Sequence, residues 1–510
     1  MTEPLKAFRF SDLQAELQSA DLWLEARAEG SYDGIFSDTR ELNQLTGSSL
    51  VFFCRRGLSK DGHQFIPELL KEGRVKAFVV EEGVDLIPED RDYLVVRDSR
   101  LAMSLFAKKL YGDPTRDLLT CAITGTNGKT TSCFILEQVL KSAGFRTARM
   151  GTIDSRFEND RWGSSLTSPD FVLFQKLVAR WKALGAESLV FEASSHALSQ
   201  GRLSGVEVDL ALFTNLSPEH LDYHKNMESY YQAKKILFSS LLRNSSKQKK
   251  IAILPEDQAY GSRLLEELKG SGLNLWSWGE GPTSEDDSQR LQLEEWSTSL
   301  SGSEVSARFR AEKIQFRSSL IGKHNVENLM GALTAGLALE MKLSEILSSL
   351  ESFQAVPGRL ERVPHPRSAN VFVDYAHTPD ALENVLQSLR PLCQGKLRLI
   401  FGCGGDRDRQ KRPLMGQIAE LFSDVVYLSS DNPRSEDPLE IINQVLQGMQ
   451  KIKPCRVIEN RRLAIETAIS EMEEKDVLLI AGKGHETTQE IMGQEFDFDD
   501  REVVRAYSGA

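Results

Sequence analysis

The stretch Thr124-Gly125-Thr126-Asn127-Gly128-Lys129-Thr130-Thr131 has the composition to hold a polyphosphate. Glycines let backbone N–H groups approach phosphate oxygens, and a following helix turns its positive end toward them. Lys129 stands where a side chain can reach the outer phosphates, and the Thr130 hydroxyl where one can ligand Mg²⁺. The apolar run LLTCAI before the loop and the periodic run after it predict the flanking strand and helix. The usual first glycine falls at Ile123, so this is a shorter variant with Gly125 as its early glycine. A phosphate loop implies a nucleotide and leaves kinases, motors, switches and ligases open.

Three further side chains could serve a metal. Glu192 ends the apolar run SLVFEASSH, His220 lies in NLSPEHLDYH, and Lys234 lies in SYYQAKKILF, an expected helix. Mg²⁺ prefers oxygen ligands, so Glu192 with Thr130 and triphosphate oxygens would suit it. Imidazole is a less usual Mg²⁺ ligand. Taken singly, His220 reads as a loop histidine and Lys234 as a solvated lysine.

These residues need elements to place them. The chain has 510 residues, 40% of them apolar, enough for two to four domains. Strand-like runs alternate with helix-like segments, which predicts α/β layers. AFVVEE from Ala77 and YLVVRD from Tyr93 read as buried strands, and RLAMSLFAKKLYG as a helix closing the first region near Gly112. Asp113-Pro114 suits a boundary. The second region holds the phosphate loop, hairpins between Lys269 and Val305, and a helix from about Val326 to Leu339. The third starts near Ala355-Val356-Pro357-Gly358 and again shows strands ending in polar loops. The expected domains are therefore 1–112, 113–354 and 355–510. Ligands of open α/β sheets gather at such strand ends.

Composition narrows the partners. The net charge is -12, from 62 basic and 74 acidic side chains, which argues against nucleic acid or an anionic membrane. The N-terminus shows no signal-peptide pattern, and no apolar run nears the ~20 residues of a membrane span. Six cysteines are scattered without paired spacing. Reduced thiols and a cytoplasmic location are expected.

The motifs GTNGKTT, EASSH, NLSPEHLDYH, YYQAKKILF, GKHNVEN, VPGRLERV, DYAHTPDAL, FGCGGDRD, KRPLMG, DNPRSEDP and AGKGHE follow one another along the chain. In this order they resemble the Mur ligase family, and within it the members that add the third residue of the peptidoglycan stem peptide. The resemblance implies an α/β fold of three domains: a small N-terminal one holding the UDP end of the substrate, a central P-loop ATPase-like one, and a Rossmann-like C-terminal one. It implies that ATP phosphorylates a carboxylate of UDP-MurNAc-L-Ala-D-Glu, and that an amine attacks the acyl phosphate. ADP and phosphate are released.

The resemblance also implies site roles. Gly125 to Thr131 hold the phosphates. Two Mg²⁺ sites draw on Thr130, Glu192, His220 and Lys234, the last as a carbamate. His324, Asn325 and Asn328 lie on the adenine side, and Asp374 and His377 are the C-terminal domain's contribution to the nucleotide. Thr167, Ser168, Ser194, Gln200 and Arg202 contact the muramoyl part, with Thr39 and Ser59 toward uridine. Ser168 replaces the family's second threonine in Thr-Thr-Pro-Asp, and Thr39 replaces a serine. A monomer with small-molecule substrates, no nucleic acid and no membrane insertion is implied.

The stretch Asp431-Asn432-Pro433-Arg434 resembles the signature of members that add meso-diaminopimelate. That amino acid carries a distal carboxylate that lysine lacks, and a guanidinium grips a carboxylate with two parallel hydrogen bonds. Arg434 is expected to do so, with Arg407, Asn432, Gly482 and Glu486 around the distal end and Glu486 on its ammonium. L-lysine as the added residue, and a nucleotide-binding protein that has lost catalysis, are the alternatives.

Overall fold

The structure is a computed structural model that describes residues 7–28, 30–57, 60–84, 90–163, 166–282, 288–365, 370–450 and 452–507. The chain forms two compact units. One takes in residues 1–283, 287–290 and 331–346; the other takes in 284–286, 291–330 and 347–510.

The first unit begins with a five-stranded sheet. Strands Gly34–Phe36, Leu50–Phe53, Val75–Glu81 and Asp92–Val96 run parallel, and Trp23–Arg27 pairs antiparallel at the edge. All of Leu-Val-Phe-Phe at 50–53 is buried, as a parallel strand covered on both faces requires. The helix Ser99–Leu110 starts at Asp98, whose carboxylate accepts from the N–H groups of Arg100 and Leu101. Its Phe106 packs against Phe8, Phe10 and Phe53.

The same unit holds a larger sheet. Its parallel strands lie in the order Asn274–Gly279, Ile251–Pro255, Leu210–Phe213, Leu119–Thr124, Ser188–Glu192, Thr147–Met150. Asp154–Phe157 and Asp160–Gly163 extend it antiparallel. The strand before the phosphate loop thus lies between the strand ending at Glu192 and the strand leading to Thr214. Three carboxyl ends, far apart in sequence, open onto one edge. Phe174, Val178, Trp181 and Phe191 are among the side chains packed beneath it.

In the second unit, Arg290–Ser299, Gly302–Phe309 and Glu312–Ser318 form an antiparallel meander, which overlaps the stretch Lys269–Val305 where hairpins were expected; Asn274–Gly279 in that stretch is instead a parallel strand, and 283–287 lie outside the described residues. The following helix begins at Lys323, three residues before its expected start. Gly322, at φ 91°, turns the chain, and its carbonyl already accepts from Asn325 and Val326. A six-stranded sheet then runs in the order Glu361–Arg362, Val371–Asp374, Val477–Ala481, Leu397–Phe401, Val425–Leu428, Cys455–Val457, parallel except at the first pair.

Candidate active site

The phosphate loop is built by its neighbours. Gly125 adopts φ 151°, and a Cβ there would lie 1.8 Å from Thr214 Oγ1. Gly128, at φ 84°, leads into the helix Lys129–Ser142. The Thr214 hydroxyl donates to the Asn127 carbonyl at 2.6 Å. Asn215 brackets the same residue, accepting from its N–H at 2.9 Å and donating to its carbonyl at 3.2 Å. The Thr126 hydroxyl donates to the Ser217 carbonyl and accepts from the Ser217 N–H. Residues 214–217 therefore act as a brace that fixes the loop.

Two lysine side chains converge on the loop. Lys129 Nζ donates to the carbonyls of Gly125 at 2.9 Å and Thr126 at 2.7 Å. Lys234 lies on the helix Met227–Ile236, is 1% exposed, and donates to the Gly125 carbonyl at 2.6 Å. Burial, and then the Lys129 charge, hold the Lys234 amine far below the usual lysine range. Lys234 is thus a buried amine and not the solvated one its residue type alone suggests.

Glu192 is held in a ring of oxygens and one N–H. The Thr130 hydroxyl donates to it at 3.0 Å, the Thr152 N–H at 2.8 Å and the Thr152 hydroxyl at 3.0 Å. A Cβ on Gly151 would meet the carboxylate at 2.3 Å, so glycine allows this approach. His220 belongs to a different grouping. Its backbone is left-handed at φ 55°, its ring lies 4.8 Å from that of His196 and 6.3 Å from that of Tyr230, and Glu219 is its acidic neighbour at 3.8 Å. Tyr223 and His224 complete the cluster around His196. Burial, then the neighbouring histidines, push His196 down to about 4, and burial lowers His220. Among the described residues no hydrogen bond joins His220 to Glu192.

The residues expected at the muramoyl part form one network. Thr167 accepts from the Thr152 hydroxyl at 3.2 Å. The Ser168 hydroxyl donates to the Glu192 carbonyl at 2.7 Å and accepts from the Ser194 N–H at 3.0 Å. Ser194 caps the helix Ser195–Ser199. Arg202 reaches the Ser168 carbonyl at 3.4 Å and the Gln200 amide oxygen, and Gln200 donates to Tyr223 at 3.1 Å. Half-buried Arg55, which follows the strand Leu50–Phe53, feels the charges of Asp170, Arg100, Glu41 and Arg202. Thr39 opens the short helix Thr39–Gln44, capped by Asp38, outside this network. Ser59 lies outside the described residues.

In the second unit, Asn328 donates to Asn325 Oδ1 at 3.3 Å, as their spacing on one helix face allows. Asn325 donates to the Ile321 carbonyl at 2.9 Å, and burial pushes His324 down to about 4. Asp374 is already engaged. Its two oxygens accept from the N–H groups of Leu360 at 2.6 Å and Ala376 at 2.7 Å, joining the Val-Pro-Gly-Arg turn to the strand end. His377 is exposed, with Nδ1 at 2.8 Å from the Tyr375 carbonyl oxygen.

The loop Asp431–Arg434 follows the strand Val425–Leu428. Gly482, at φ 114°, leaves room for Asp431, whose carboxylate would lie 2.4 Å from a Cβ there. Asn432 donates to Glu486 at 2.8 Å, and Pro433 accepts from the Glu436 N–H at 3.0 Å. Arg434 sits at φ 52°, held by the hairpin of Thr488–Ile491 and Gln494–Asp497: its N–H donates to the Glu490 carbonyl and its carbonyl accepts from Met492. Its guanidinium donates to the Gly405 carbonyl at 2.8 Å through Nη1 and pairs with Glu490 at 3.2 Å through Nε. Nη2 has no hydrogen-bond partner among the described residues. Arg407 is exposed and donates to the Asp406 carbonyl, apart from these bonds.

Residues 123–336 match the Mur ligase middle domain, and residues 358–484 match the Mur ligase, glutamate ligase domain. A relative from Geobacter metallireducens, a UDP-N-acetylmuramoyl-L-alanyl-D-glutamate--2,6-diaminopimelate ligase, is 39% identical over 491 residues, 93% of each chain. The chain belongs to the Mur ligase family. A second relative with that enzyme name, from Aquifex aeolicus, is 38% identical over 93% of each chain. A solved structure of an enzyme of the same name superposes with a TM-score of 0.69 and 29% identity over 98% of both chains. A Mycobacterium tuberculosis folylpolyglutamate synthase, solved with ADP and AMPPCP, shares the fold at a TM-score of 0.60 and 19% identity, covering 75% of this chain and 92% of its own. This Mur ligase has the family's three-domain α/β architecture. It uses ATP and forms amide bonds in peptidoglycan precursor synthesis.

Several residues that shape the Mur ligase site escaped sequence reasoning. Thr152, Thr214 and Asn215 are small polar residues just past strand ends, a weak signal without the strand order. Lys483 stands inside AGKGHE between two residues that were singled out. Glu490 carries no local motif, and only the hairpin brings it to Arg434.

Proposed function

We propose that this ligase joins UDP-MurNAc-L-Ala-D-Glu to meso-2,6-diaminopimelate, with ADP and phosphate released. The γ-phosphoryl group of ATP passes to the free carboxylate oxygen, forming an acyl phosphate. The amine nitrogen then attacks the carbonyl carbon, phosphate leaves with the electron pair of the broken C–O bond, and the amine's proton goes to solvent. Loop residues Gly125 to Thr131 hold the phosphates by backbone N–H groups and the Lys129 charge. The carboxylate substrate is oriented by Thr167, Ser168, Ser194, Gln200 and Arg202, with Thr39 and Ser59 toward the uridine. His324, Asn325, Asn328, Asp374 and His377 serve the nucleotide.

Mg²⁺ fits the donors present. Thr130 and Glu192 offer hard oxygens, and among the described residues no group of three His, Cys, Asp or Glu is placed to hold a metal ion by itself, so phosphates and water would complete the shell. His220, joining Glu192, and carbamylated Lys234 are assigned to a second ion. Such ions neutralise charge between triphosphate and carboxylate. The burial of Lys234, which favours its neutral amine, supports the carbamate, since a neutral nitrogen can add CO₂ and lose a proton to water. The proposed domains are 1–112, 113–354 and 355–510, in a cytoplasmic monomer. No helix among the described residues is long and apolar enough to cross a membrane.

The observation that carries the diaminopimelate assignment is the pair of open valences beside Asn432. Arg434 Nη2 and Glu486 Oε1 lack hydrogen-bond partners among the described residues, and together they suit the carboxylate and ammonium of a distal amino-acid end. Phosphate release tests it, with ATP, Mg²⁺ and UDP-MurNAc-L-Ala-D-Glu, and with meso-diaminopimelate, L-lysine or neither. Release with diaminopimelate alone is expected. Release with lysine alone overturns the specificity, and release with neither overturns the reaction.

A further inference from the structure

Lys483 lies between Gly482 and Glu486, and its side chain is 0% exposed. A buried ammonium must hand its protons to acceptors, because an unpaired buried charge is costly. Lys483 Nζ meets three: the Thr488 carbonyl at 2.6 Å, Asn432 Oδ1 at 3.2 Å and Glu486 Oε2 at 3.2 Å. Asn432 Nδ2 donates to that same Glu486 oxygen at 2.8 Å, and Asn432 Oδ1 also accepts from the Glu490 N–H at 3.0 Å. One ammonium thereby joins three pieces of chain. They are the loop after Val425–Leu428, the turn after Val477–Ala481, and the hairpin strand Thr488–Ile491.

We infer that Lys483 is the positioning residue of the amine-substrate site. It pins Glu486 by one oxygen so that the other faces the incoming ammonium, and it pins Asn432 so that Arg434 follows in register. This rests on the amine-acceptor reading above and deepens it. Lys483 is sealed from solvent and cannot touch the substrate in this arrangement, so it acts through Glu486 and Asn432. Fixing both partners in advance removes rotamer freedom that the substrate would otherwise have to freeze.

Steady-state phosphate release by the full chain tests the assignment. In Lys483→Met, the KM for meso-diaminopimelate should rise about tenfold or more while the KM values for ATP and the UDP substrate stay within about twofold. Because both residues act through one oxygen, adding Lys483→Met to Glu486→Gln should raise that KM little further. Lys483→Gln keeps a donor for the Thr488 carbonyl and carries the same comparison if Lys483→Met does not fold. An equal rise in all three KM values, or full additivity with Glu486→Gln, means a purely structural lysine and overturns the inference. Wild-type turnover with an unchanged KM in the variant overturns it alone. A wild type that makes no product from diaminopimelate overturns the functional reading, and this inference falls with it.

Discussion

Lys234 Nζ lies 2.6 Å from the Gly125 carbonyl oxygen, the same oxygen that accepts from Lys129 at 2.9 Å. Two ammonium groups on one carbonyl repel each other, and the buried one is the easier to neutralise. Burial, and then the Lys129 charge, lower the Lys234 pKa, which favours its neutral form beside the phosphate loop.

Lys234→Ala should therefore cost about 10²-fold or more in kcat, in keeping with the loss of a preorganised charged group. Short carboxylates such as formate or acetate should restore part of it by supplying the lost carbamate oxygens. Turnover assays with and without added carboxylate decide this. Full activity without rescue places Lys234 outside the chemistry.

Gly125→Ala should lose ATP affinity and about 1–3 kcal/mol of stability, since the new Cβ meets Thr214 Oγ1 and the backbone conformation suits only glycine. Denaturant unfolding and nucleotide titration measure the two effects. Wild-type values for both would show that the loop relaxes freely.

Arg434→Ala should raise the KM for diaminopimelate by about tenfold or more and leave that for ATP nearly unchanged. Glu490→Gln should lower the KM for diaminopimelate, because Glu490 competes for the guanidinium at 3.2 Å. Equal losses for both substrates in Arg434→Ala would make the arginine a structural residue.

His485 supplies a pH dependence. Burial, then the charges of Arg359, Arg501 and Lys483, push it down from 6.5 to about 4. Between those values the unfolded chain takes up a proton that the folded chain does not. The stabilisation from neutral His485 is thus complete above 6.5 and lost as pH falls toward 4, by up to about 1.4 kcal/mol per pH unit. His485→Gln lacks this response, so on going from pH about 7.5 to about 5 the wild-type Tm should drop further than the variant's. Equal drops would show that His485 titrates normally.

Sequence reading reached the site unevenly. Asn325 and Asn328 were expected on one helix face, and they meet there because the helical period alone decides it. Asp374 was expected to serve the nucleotide, and its two oxygens hold the backbone N–H groups of Leu360, at the Val-Pro-Gly-Arg turn, and of Ala376, two residues on. Arg434 was expected to grip a carboxylate with two parallel hydrogen bonds, and two of its nitrogens are held by the Gly405 carbonyl and Glu490. Leu360, Gly405 and Glu490, the partners that local reading misses, lie 14 or more residues away.

What the sequence by itself determined is local: the glycines, lysine and threonines of the phosphate loop at fixed offsets, the alternation of strands and helices, and the ordered motifs of a Mur ligase. These follow from backbone freedom and side-chain periodicity within a few residues. Tertiary structure alone decided that the strand Leu119–Thr124 lies between Ser188–Glu192 and Leu210–Phe213, and hence that Thr130 meets Glu192 and Thr214 meets Asn127. It also carried Lys234 to a carbonyl 109 residues away. Strand order and burial depend on the packing of the whole sheet, and no local stretch of residues encodes them.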